Sequence, residues 1–344
     1  MGYVVKKFDL NQDRDALFTL WTHVLKRPSL QRMECMYTDN SFGVPITSLV
    51  FHDKEGLVCS TSAFSLKVVL GEKGLLLGIN YDMLALPRFR TLGPALMSLK
   101  GLLRECEASG YNMLLAMPNE KSRAVFQRAG YKKVGTAHRW SKILRCGNKL
   151  RHVIKSYPLR QLVATCADMY LKFASVETWI KFRYFALGGR YKTDIGSLEE
   201  IPSKQADATG NFLLKTRRYL QWRYNGLAHY ISQVFLLYRG GNLLGYVIYR
   251  IEDDEVIVEE VSLPNMDGHV NILLVGFVSE MRARGQESIS ILYFGPNNLE
   301  ERLKNLGFFK REGRDVYMYV FGEASRELSE LILNFHFFDA DLDL

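Results

Sequence analysis

The sequence lacks the features of membrane-spanning, secreted and disulfide-bonded proteins. Its 344 residues contain no apolar run of about 18, the length that a membrane helix needs, because Asn80, Asp82 and Gly276 interrupt the longest candidates. The N-terminal MGYVVKKFDL has no apolar core and no small-residue cleavage site, so we expect no signal peptide. The five cysteines are an odd number without a C-x-x-C pair, which is typical of free thiols in a reducing compartment. The sequence therefore predicts a cytoplasmic protein.

Motifs of several enzyme classes are also missing. Neither Gly-Lys-Ser/Thr nor G-x-G-x-x-G occurs, so the usual cradles of nucleoside triphosphates and dinucleotides are absent. The sequence has no G-x-S-x-G nucleophile elbow. Cys146 and His152 share a basic region but have no partners at metal-ligand spacing, so the sequence predicts no metal site.

What is present is a globular composition with an uneven charge. The chain is 47% hydrophobic and carries a net charge of +8. The stretch from Lys132 to Lys192 holds 14 lysines and arginines and two acidic residues, a net +12, and the remaining residues sum to −4. Such a stretch suits a phosphorylated ligand, a nucleic acid or an anionic membrane surface, or is a solvated connector. Its apolar residues recur at helical spacing and predict an amphipathic helix: Leu159, Leu162, Val163, Cys166, Met169, Tyr170 and Phe173.

The two halves of the chain repeat one pattern. An apolar strand, a Pro-Asn pair, a helix and a Gly-aromatic pair follow Tyr111 and occur again after Ser288. In each half a strand and a long helix come first: Leu75–Leu86 with Leu92–Ser109, and Glu255–Leu263 with His269–Arg284. Further upstream, Tyr37 in RMECMYTDN loosely matches Tyr224 in YLQWRYNGL. The repeat predicts two copies of one unit.

The alternation of strands and helices predicts the fold class. We expect an α/β (α+β) protein of two tandem units, each a mixed twisted sheet flanked by helices. Residues 1–140 form the first unit, 141–200 a basic helical connector, and 201–344 a second unit. The acidic tail FDADLDL ends the second unit and is expected to pack on one of the two copies.

The loop after the strand Leu75–Leu86 reads Arg90-x-x-Gly93-x-Ala95 and opens an apolar-periodic helix. A loop of this kind turns backbone N–H groups outward at a helix N-terminus, where the helix dipole also favours an anion. A side chain at Gly93 would hold phosphates away from the backbone, and Arg90 adds a charge-assisted contact. The sequence therefore predicts a pyrophosphate cradle, and a strand-to-helix turn without a ligand is the alternative.

This order of motifs resembles the GNAT acyltransferase superfamily. The resemblance rests on the strand, the Arg90 loop, the long helix and the sequence Asn119-x-x-Ser122-x-x-x-Phe126-x-x-x-Gly130-Tyr131. The two copies are further similar to the tandem GNAT proteins of bacterial polysaccharide gene clusters, a likeness that YLQWRY and the acidic C-terminus strengthen.

The resemblance implies an acyl-CoA such as acetyl-CoA as co-substrate, held between the fourth and fifth strands. It assigns the pyrophosphate to the backbone of Arg90, Thr91, Leu92, Gly93, Ala95 and Leu96, and the pantetheine to Leu84, Ala85 and Leu86. It also brings Asn119 to the cofactor, although Asn119 is equally well explained as the N-cap of the helix Glu120–Ala129. Pro94 departs from the pattern because it has no N–H to donate.

Phe126 is the second departure, because the family often has a tyrosine there that protonates the departing thiolate. Either Tyr131, Tyr111 or water replaces it, or this unit is slow or inactive. A thiolate leaves readily enough for the loss of the acid to be tolerated.

Asp82 is the candidate general base. A carboxylate within an apolar strand is costly unless it is paired or used, and an ammonium acceptor must lose a proton before it attacks a thioester. A solvent-facing Asp82 or a structural ion pair are the alternatives, and His138 is a second candidate base. In the second copy, the loop LPNMDGHVN lacks the arginine and sets Asp267 where a pyrophosphate would lie. We expect that copy to be degenerate and to close the acceptor site or supply contacts to the acceptor. Glu259 and Glu260 would then bind an amine or hydroxyl; the alternative is that one of them faces solvent and the other caps a strand ladder.

Three functions compete on this sequence. The first is an acyl-CoA-dependent N-acyltransferase acting on an amine, specifically an amino sugar with a phosphate-linked carrier in surface polysaccharide biosynthesis. The second is a Fem-type transferase that takes its acyl group from aminoacyl-tRNA, but the CoA cradle argues against a nucleic-acid partner. The third is a non-catalytic CoA-binding scaffold with peripheral membrane association, favoured by Phe126 and the basic aromatic connector. The sequence leaves the oligomeric state open.

Overall fold

Strands from both halves of the chain join in one sheet. The computed structural model describes residues 2–70, 73–147, 150, 154–187, 191–201, 211–213, 216–226, 232–263, 266–322 and 337–338. Within these residues a single 14-stranded hydrogen-bonded sheet is flanked by helices.

The first half contains six strands and four helices. The strands are β1 (Tyr3–Lys7), β2 (Ile46–His52), β3 (Gly56–Leu70), β4 (Lys73–Ala85), β5 (Met113–Ala116) and β6 (Lys132–Ile143). The helices are α1 (Leu10–Val24), α2 (Leu30–Tyr37), α3 (Leu92–Ala108) and α4 (Glu120–Arg128). A short 3₁₀ turn, Pro87–Phe89, joins β4 to α3.

The rest of the described chain follows a similar order. The helices α5 (Tyr157–Phe173) and α6 (Val176–Lys181) and a π-helical turn (Phe182–Leu187) precede β7 (Tyr191–Gly196), a 3₁₀ turn (Leu198–Glu200) and β8 (Asn211–Leu213). Then come α7 (Arg217–Gln221), a π-helical turn (Trp222–Gly226), β9 (Gln233–Arg239), β10 (Asn242–Glu252) and β11 (Glu255–Ser262). The chain ends with α8 (Met266–Ala283), β12 (Ser288–Phe294), α9 (Asn297–Asn305), β13 (Phe309–Val320) and β14 (Phe337–Phe338).

The two halves exchange their last long strands. The strand order is β1-β2-β3-β4-β5-β13-β6-β12-β11-β10-β9-β7, with β8 paired to β3 and β14 to β12. Thus β13 of the second half lies against β5, and β6 of the first half lies against β12. Outward from this centre both halves run in the same order, and β4/β5 and β11/β12 are the parallel pairs. The predicted α/β fold, with a mixed sheet flanked by helices, is confirmed. The boundaries at 140 and 200 stay a prediction.

The elements predicted next to the loop have the expected bounds. In α3, Leu99, Leu102, Leu103 and Cys106 are buried at helical spacing, so this face packs on the sheet. Gly101 lies on the packed face, where a Cβ would collide with Ser48 Oγ and approach Val5 Cγ1 to 2.7 Å. The sequence had favoured this helix by the same periodicity.

A shared apolar core lies on the opposite face of the sheet. It contains Ile79 and Leu115 of the first half together with Tyr219, Trp222 and Ile248 of the second. The indole N–H of Trp222 donates to the carbonyl of Cys35 in α2 at 2.7 Å. The YLQWRY segment therefore ties the second half to the first.

The predicted connector contains the helices α5 and α6, and its last residues form β7, which the sequence reading missed. This strand pairs with β9 and belongs to the sheet. No helix in the described ranges is long and apolar enough to cross a membrane. The acidic tail from residue 339 lies outside the described residues.

Candidate functional site

The parallel strands β4 and β5 separate at one end and open a pocket. Their pairing runs from Leu77 opposite Met113 to Ile79 opposite Leu115 and ends there, although β4 continues to Ala85. A cavity of about 190 Å³ lies in the opening. Ligands bind at such points in α/β sheets, beyond the carboxyl ends of parallel strands. The pocket is lined by both strands, by the start of α4 and by β13.

Asp82 reaches this pocket from a bulge in β4. Tyr81 pairs with Ser62 and Leu84 with Ser60, so two residues of β4 stand opposite the single residue Thr61 of β3. Asp82 has φ +51°, a left-handed conformation that non-glycine residues rarely adopt. Bulges and left-handed residues of this kind concentrate at functional sites, where they redirect a side chain. Asp82 lines the pocket, as a catalytic carboxylate requires.

The buried hydroxyl of Tyr37 is close enough to Asp82 to be affected by its charge. Tyr37 shares a hydrogen bond of 2.7 Å with Ser62 and is almost completely buried. Burial raises the pKa of the Tyr37 hydroxyl, and the charge of Asp82 raises it further. The Tyr37 hydroxyl therefore stays protonated, so this neighbour of the Asp82 carboxylate is uncharged.

Asn80 lines the pocket two residues before Asp82. Its Oδ1 accepts a 2.6 Å hydrogen bond from the hydroxyl of Tyr131. Its Nδ2 is buried and has no partner in the described part of the chain. Because the bond from Tyr131 fixes which end of the amide is the donor, the Nδ2 end of Asn80 carries the donor hydrogens that are not used within the described residues.

Phe126 and Asn119 both line the pocket. Phe126 is buried at the pocket wall and packs edge-on against Tyr131, with ring centroids 5.0 Å apart. Asn119 also lines the pocket, and its Oδ1 caps α4 by accepting bonds from the amides of Lys121 and Ser122, each 3.0 Å long. The capping role of Asn119 is thus present, and it leaves only the amide nitrogen for a ligand.

The three alternative acid or base residues lie in different places. Tyr131 is in contact with the pocket through Asn80, and burial holds the pKa of its hydroxyl well above the usual value. Tyr111 is not at the pocket, since its hydroxyl pairs with Ser65 at 2.5 Å. His138 lies on β6 opposite Gly313 and is not among the pocket residues; burial and Lys310 lower its pKa.

The N-terminus of α3 is open in the way an anion site requires. Thr91 is the N-cap residue and makes no side-chain cap bond. The amides of Arg90 and Thr91 are already bonded to Pro87 and Phe89 within the turn. The predicted donor set is therefore narrower than Arg90 to Leu96, because the first-turn amides without intrahelical partners are those of Leu92 and Gly93.

The residues at this end of α3 differ in whether they leave space for an anion or belong to the core. A Cβ at Gly93 would meet no atom within 4 Å, so the space beyond it is free. Arg90 is exposed, and its Nε bonds to the carbonyl of Ala85 at 3.2 Å. Ala95 is buried and Leu96 half-buried, so both side chains serve the core.

The strand end predicted for pantetheine is partly occupied by the chain itself. The Leu86 amide donates to Val58, and its carbonyl accepts from Phe89. Leu84 is a buried core residue. The pairing of β4 with β5 stops at Ile79. The part of β4 that extends beyond this pairing lies between Ile79 and Ala85 and does not include Leu86.

Arg314 is a pocket residue that the sequence reading missed. It lies on β13 opposite Ala137 of β6, and the strand exchange brings it to the first half's pocket. No local motif marks it, since its position depends on which distant strand fills the gap beside β5. The ionisable lining of the pocket thus combines Asp82 from one half with Arg314 from the other.

The corresponding point in the second half holds two buried glutamates. The pairing of β11 with β12 ends at Val258 opposite Ile291, and Glu259 and Glu260 follow. Both are buried. Glu260 accepts bonds from the hydroxyls of Tyr224, at 2.6 Å, and Tyr246, at 3.3 Å.

Glu259 is held in the same way, by Arg250 at 2.9 Å and Ser232 at 2.7 Å. The expectation that one of the two glutamates faces solvent is wrong, because residues from distant segments enclose both. The side chain of Asp267, expected near this opening, lies outside the described residues. Among the described residues there is also no group of three or more potential metal ligands.

Comparisons with known proteins bear on the fold. No protein-family model and no curated protein matches the chain. Among solved structures, a GCN5-related N-acetyltransferase from Anabaena variabilis ATCC 29413 superposes with a TM-score of 0.61 at 10% identity. A probable N-acyltransferase from Enterococcus faecalis V583 gives 0.59 at 14%, and Eis1 from Mycobacterium abscessus 0.57 at 11%. Each match covers 93% of this chain and 73% of the other. The fold of this chain is that of the GCN5-related N-acetyltransferases.

Proposed function

We propose that the chain is an acyl-CoA-dependent N-acyltransferase whose reaction takes place between β4 and β5. The observation that carries the proposal is the coincidence of a carboxylate and an anion site. Asp82 stands in a bulge at the open end of the parallel pair, and the uncapped N-terminus of α3 follows the same strand.

The residues at the start of α3 suit the diphosphate of coenzyme A. The amides of Leu92 and Gly93 point out of the helix, and the guanidinium of Arg90 is exposed beside them. Gly93 leaves open space where any larger residue would stand. Pro94 removes one donor, but it suits the first turn of a helix. When bound, acyl-CoA supplies the activated thioester that an amine attacks.

Asp82 and Asn80 act on different reacting groups, the amine and the thioester carbonyl. Asp82 accepts the proton that an ammonium acceptor must lose before it becomes a nucleophile. Asn80 offers its Nδ2 hydrogens to a carbonyl oxygen as negative charge develops there, and Tyr131 fixes the orientation of that amide. Phe126 supplies no proton, so the thiolate leaves without an acid from that position.

We extend the proposal to an amino-sugar acceptor carrying a phosphate, of the kind used in surface polysaccharide biosynthesis. Asp82 suits the amine, and the guanidinium of Arg314 at the same pocket suits an anionic group. The second half supplies Arg314, and at its own equivalent point the carboxylates of Glu259 and Glu260 are buried and engaged by other side chains. Both features support an acceptor that lies between the halves.

Two measurements test the proposal. Calorimetry with acetyl-CoA is expected to give one site per chain, and thiol release is expected with a panel of amino sugars and their nucleotide derivatives. Binding without turnover over the panel would favour a scaffold that only holds the coenzyme. No binding of any CoA thioester, together with salt-sensitive binding of charged tRNA, would favour the Fem-type alternative.

A further inference from the structure

An apolar, basic surface covers the connector. In α5 no residue is buried, and large side chains of α5, α6 and the following π-helical turn are more than half exposed. We call this the connector face and define it by Leu162, Met169, Tyr170, Phe173, Trp179 and Phe182. Leu162, Met169 and Phe173 recur at helical spacing and form one stripe along α5. Exposed apolar patches of this kind mark interaction sites.

The helices α5 and α6 contain two acidic residues, and both are bound to the body of the protein. Asp168 accepts a 2.8 Å bond from the amide of Cys146. Glu177 is buried and pairs with Lys142 at 3.2 Å and Arg282 at 2.7 Å. The charged side chains that remain exposed are all cationic: Lys155, Lys172, Lys181 and Arg183.

Hydrogen bonds from Arg282 also attach the connector face to the body of the protein. Arg282 of α8 bonds to the hydroxyl of Ser175 at 3.0 Å and to the carbonyl of Leu144 at 2.6 Å, in addition to Glu177. The junction of α5 and α6 is therefore pinned to the sheet, while the aromatic side is directed away from it. The indole N–H of Trp179 bonds to the carbonyl of Phe173 at 3.1 Å, which leaves its ring outside.

We propose that the connector face docks on an anionic membrane surface. Its combination of exposed Trp, Tyr, Phe and Leu with lysine and arginine is that of helices that lie in the headgroup region. Anionic lipid complements a face whose acids are all turned inward. A second copy of this chain is a poorer partner, because a two-fold contact would set the same cations against one another. A nucleic acid would match the charge but not the stripe of Leu162, Met169 and Phe173.

Co-sedimentation with vesicles tests the docking. The unmodified 344-residue chain is expected to sediment with phosphatidylcholine vesicles that contain about one third phosphatidylglycerol, to sediment far less with phosphatidylcholine alone, and to be released by salt. The variant Lys172→Glu with Lys181→Glu is expected to lose about fivefold in partition for each lysine. Leu162→Gln with Phe173→Gln is expected to lose at least as much.

Matched controls separate the face from general stickiness. Phe309 and Lys304 are exposed on the second half, so Phe309→Gln and Lys304→Glu are expected to sediment like the unmodified chain. Far-ultraviolet circular dichroism checks that each variant is folded.

Tryptophan fluorescence gives an independent readout. Trp21, Trp140 and Trp222 are buried, and Trp179 is 66% exposed. Anionic vesicles are therefore expected to shift the emission to the blue through Trp179. The shift should vanish in Trp179→Phe, which keeps an aromatic ring and should still sediment.

Three results would overturn the proposal. One is an absence of sedimentation with anionic vesicles, and another is unchanged sedimentation of both double variants. The third is a dimer in light scattering that Leu162→Gln with Phe173→Gln dissociates, because the face would then join two copies. Acetyl-CoA binding is scored separately, so a failure here leaves the transferase proposal intact.

Discussion

The hydroxyl of Tyr131 donates to Oδ1 of Asn80 at 2.6 Å and so joins the residue that follows α4 to the bulged strand β4. Burial keeps the tyrosine protonated, since it raises the pKa of that hydroxyl well above its usual value. Tyr131 is therefore the donor in this bond, and the bond turns Nδ2 of Asn80 away from Tyr131. In the second half, Glu259 stands at the matching point after the last paired residue and is bound to Arg250. The position that holds the amide donor of Asn80 in the first half therefore holds the carboxylate of Glu259, paired with Arg250, in the second.

A double-mutant cycle on this pair measures its part in the reaction. Asn80→Asp removes the donor and is expected to lower kcat about 100-fold or more, the usual effect of losing a preorganised donor. Tyr131→Phe leaves the amide free to turn and is expected to lower kcat about tenfold. Because both changes act on one group, the double variant should fall short of the product, with a coupling of about 1 kcal/mol or more.

Tyr111→Phe is the control for this cycle, since that hydroxyl pairs with Ser65 away from the pocket. Its kcat is expected to stay unchanged. If Tyr111→Phe were as damaging as Tyr131→Phe, the loss would reflect packing and not the orientation of Asn80.

Replacing Asp82 by asparagine tests the general base. Asparagine tolerates the left-handed conformation at φ +51°, so the bulge and the stability are expected to persist. The value of kcat/KM is expected to fall about 10²- to 10⁴-fold, as it does when a general base is lost, with acetyl-CoA binding unchanged by calorimetry. Asp253→Asn is the matched control, because Asp253 is also left-handed, at φ +48°, in the turn between β10 and β11. Equal losses in the two variants would remove Asp82 from the mechanism.

Two glycines of α3 give opposite expectations. At Gly93 a Cβ meets open space, so Gly93→Ala is expected to leave the melting temperature unchanged or slightly higher, since alanine is the better helix former. The added methyl group stands where the diphosphate would lie, so acetyl-CoA affinity should fall about tenfold or more. Thermal unfolding and calorimetry measure the two effects.

At Gly101 the same change acts on the fold. A Cβ there collides with Ser48 Oγ, and overpacking costs about 1–3 kcal/mol, so Gly101→Ala is expected to lower the unfolding midpoint. Gly93→Ala that binds acetyl-CoA normally would place the diphosphate elsewhere.

Local pattern was enough to predict the frame of the site. The periodicity of Leu99, Leu102 and Cys106 fixed α3 to within one residue, and the Pro-Asn pair located the start of α4. The fold class followed from the repeat, and the comparison of Tyr37 with Tyr224 has a structural counterpart. Tyr37 is the last residue of the short helix α2, and Tyr224 lies in the π-helical turn after the short helix α7. Each bonds near a bulged strand, Tyr37 to Ser62 and Tyr224 to Glu260.

Contacts between distant segments were not predictable in the same way. The exchange of β6 and β13 depends on which of two similar apolar strands fills the gap beside β5, and a local pattern does not encode that choice. Arg314 was missed for this reason, and so was the enclosure of Glu260 by Tyr224 and Tyr246. The assignment of Asp82 and the α3 loop to catalysis and binding stays a prediction.

Glu177 joins the connector helix α6 to the rest of the protein through buried ion pairs. It lies between Lys142 and Arg282 and is almost completely buried, so Glu177→Gln leaves two buried cations with an uncharged partner. Breaking such a pair costs about 3–5 kcal/mol, and urea unfolding should show a loss near that size. Glu280→Gln breaks a partly exposed pair between Glu280 of α8 and Arg284 just after that helix, and it is expected to cost less than about 0.5 kcal/mol.

The dependence of this loss on pH has a definite sign. Burial lowers the pKa of Lys142, and Glu177 opposes that shift, so removing the carboxylate should lower the pKa further. Between the folded and unfolded pKa values the unfolded chain binds more protons, and stability therefore rises with pH over that interval. The variant should thus gain stability more steeply than the unmodified chain as the pH approaches 10.5, the ordinary lysine value. A parallel pair of stability curves would mean that Lys142 titrates independently of Glu177.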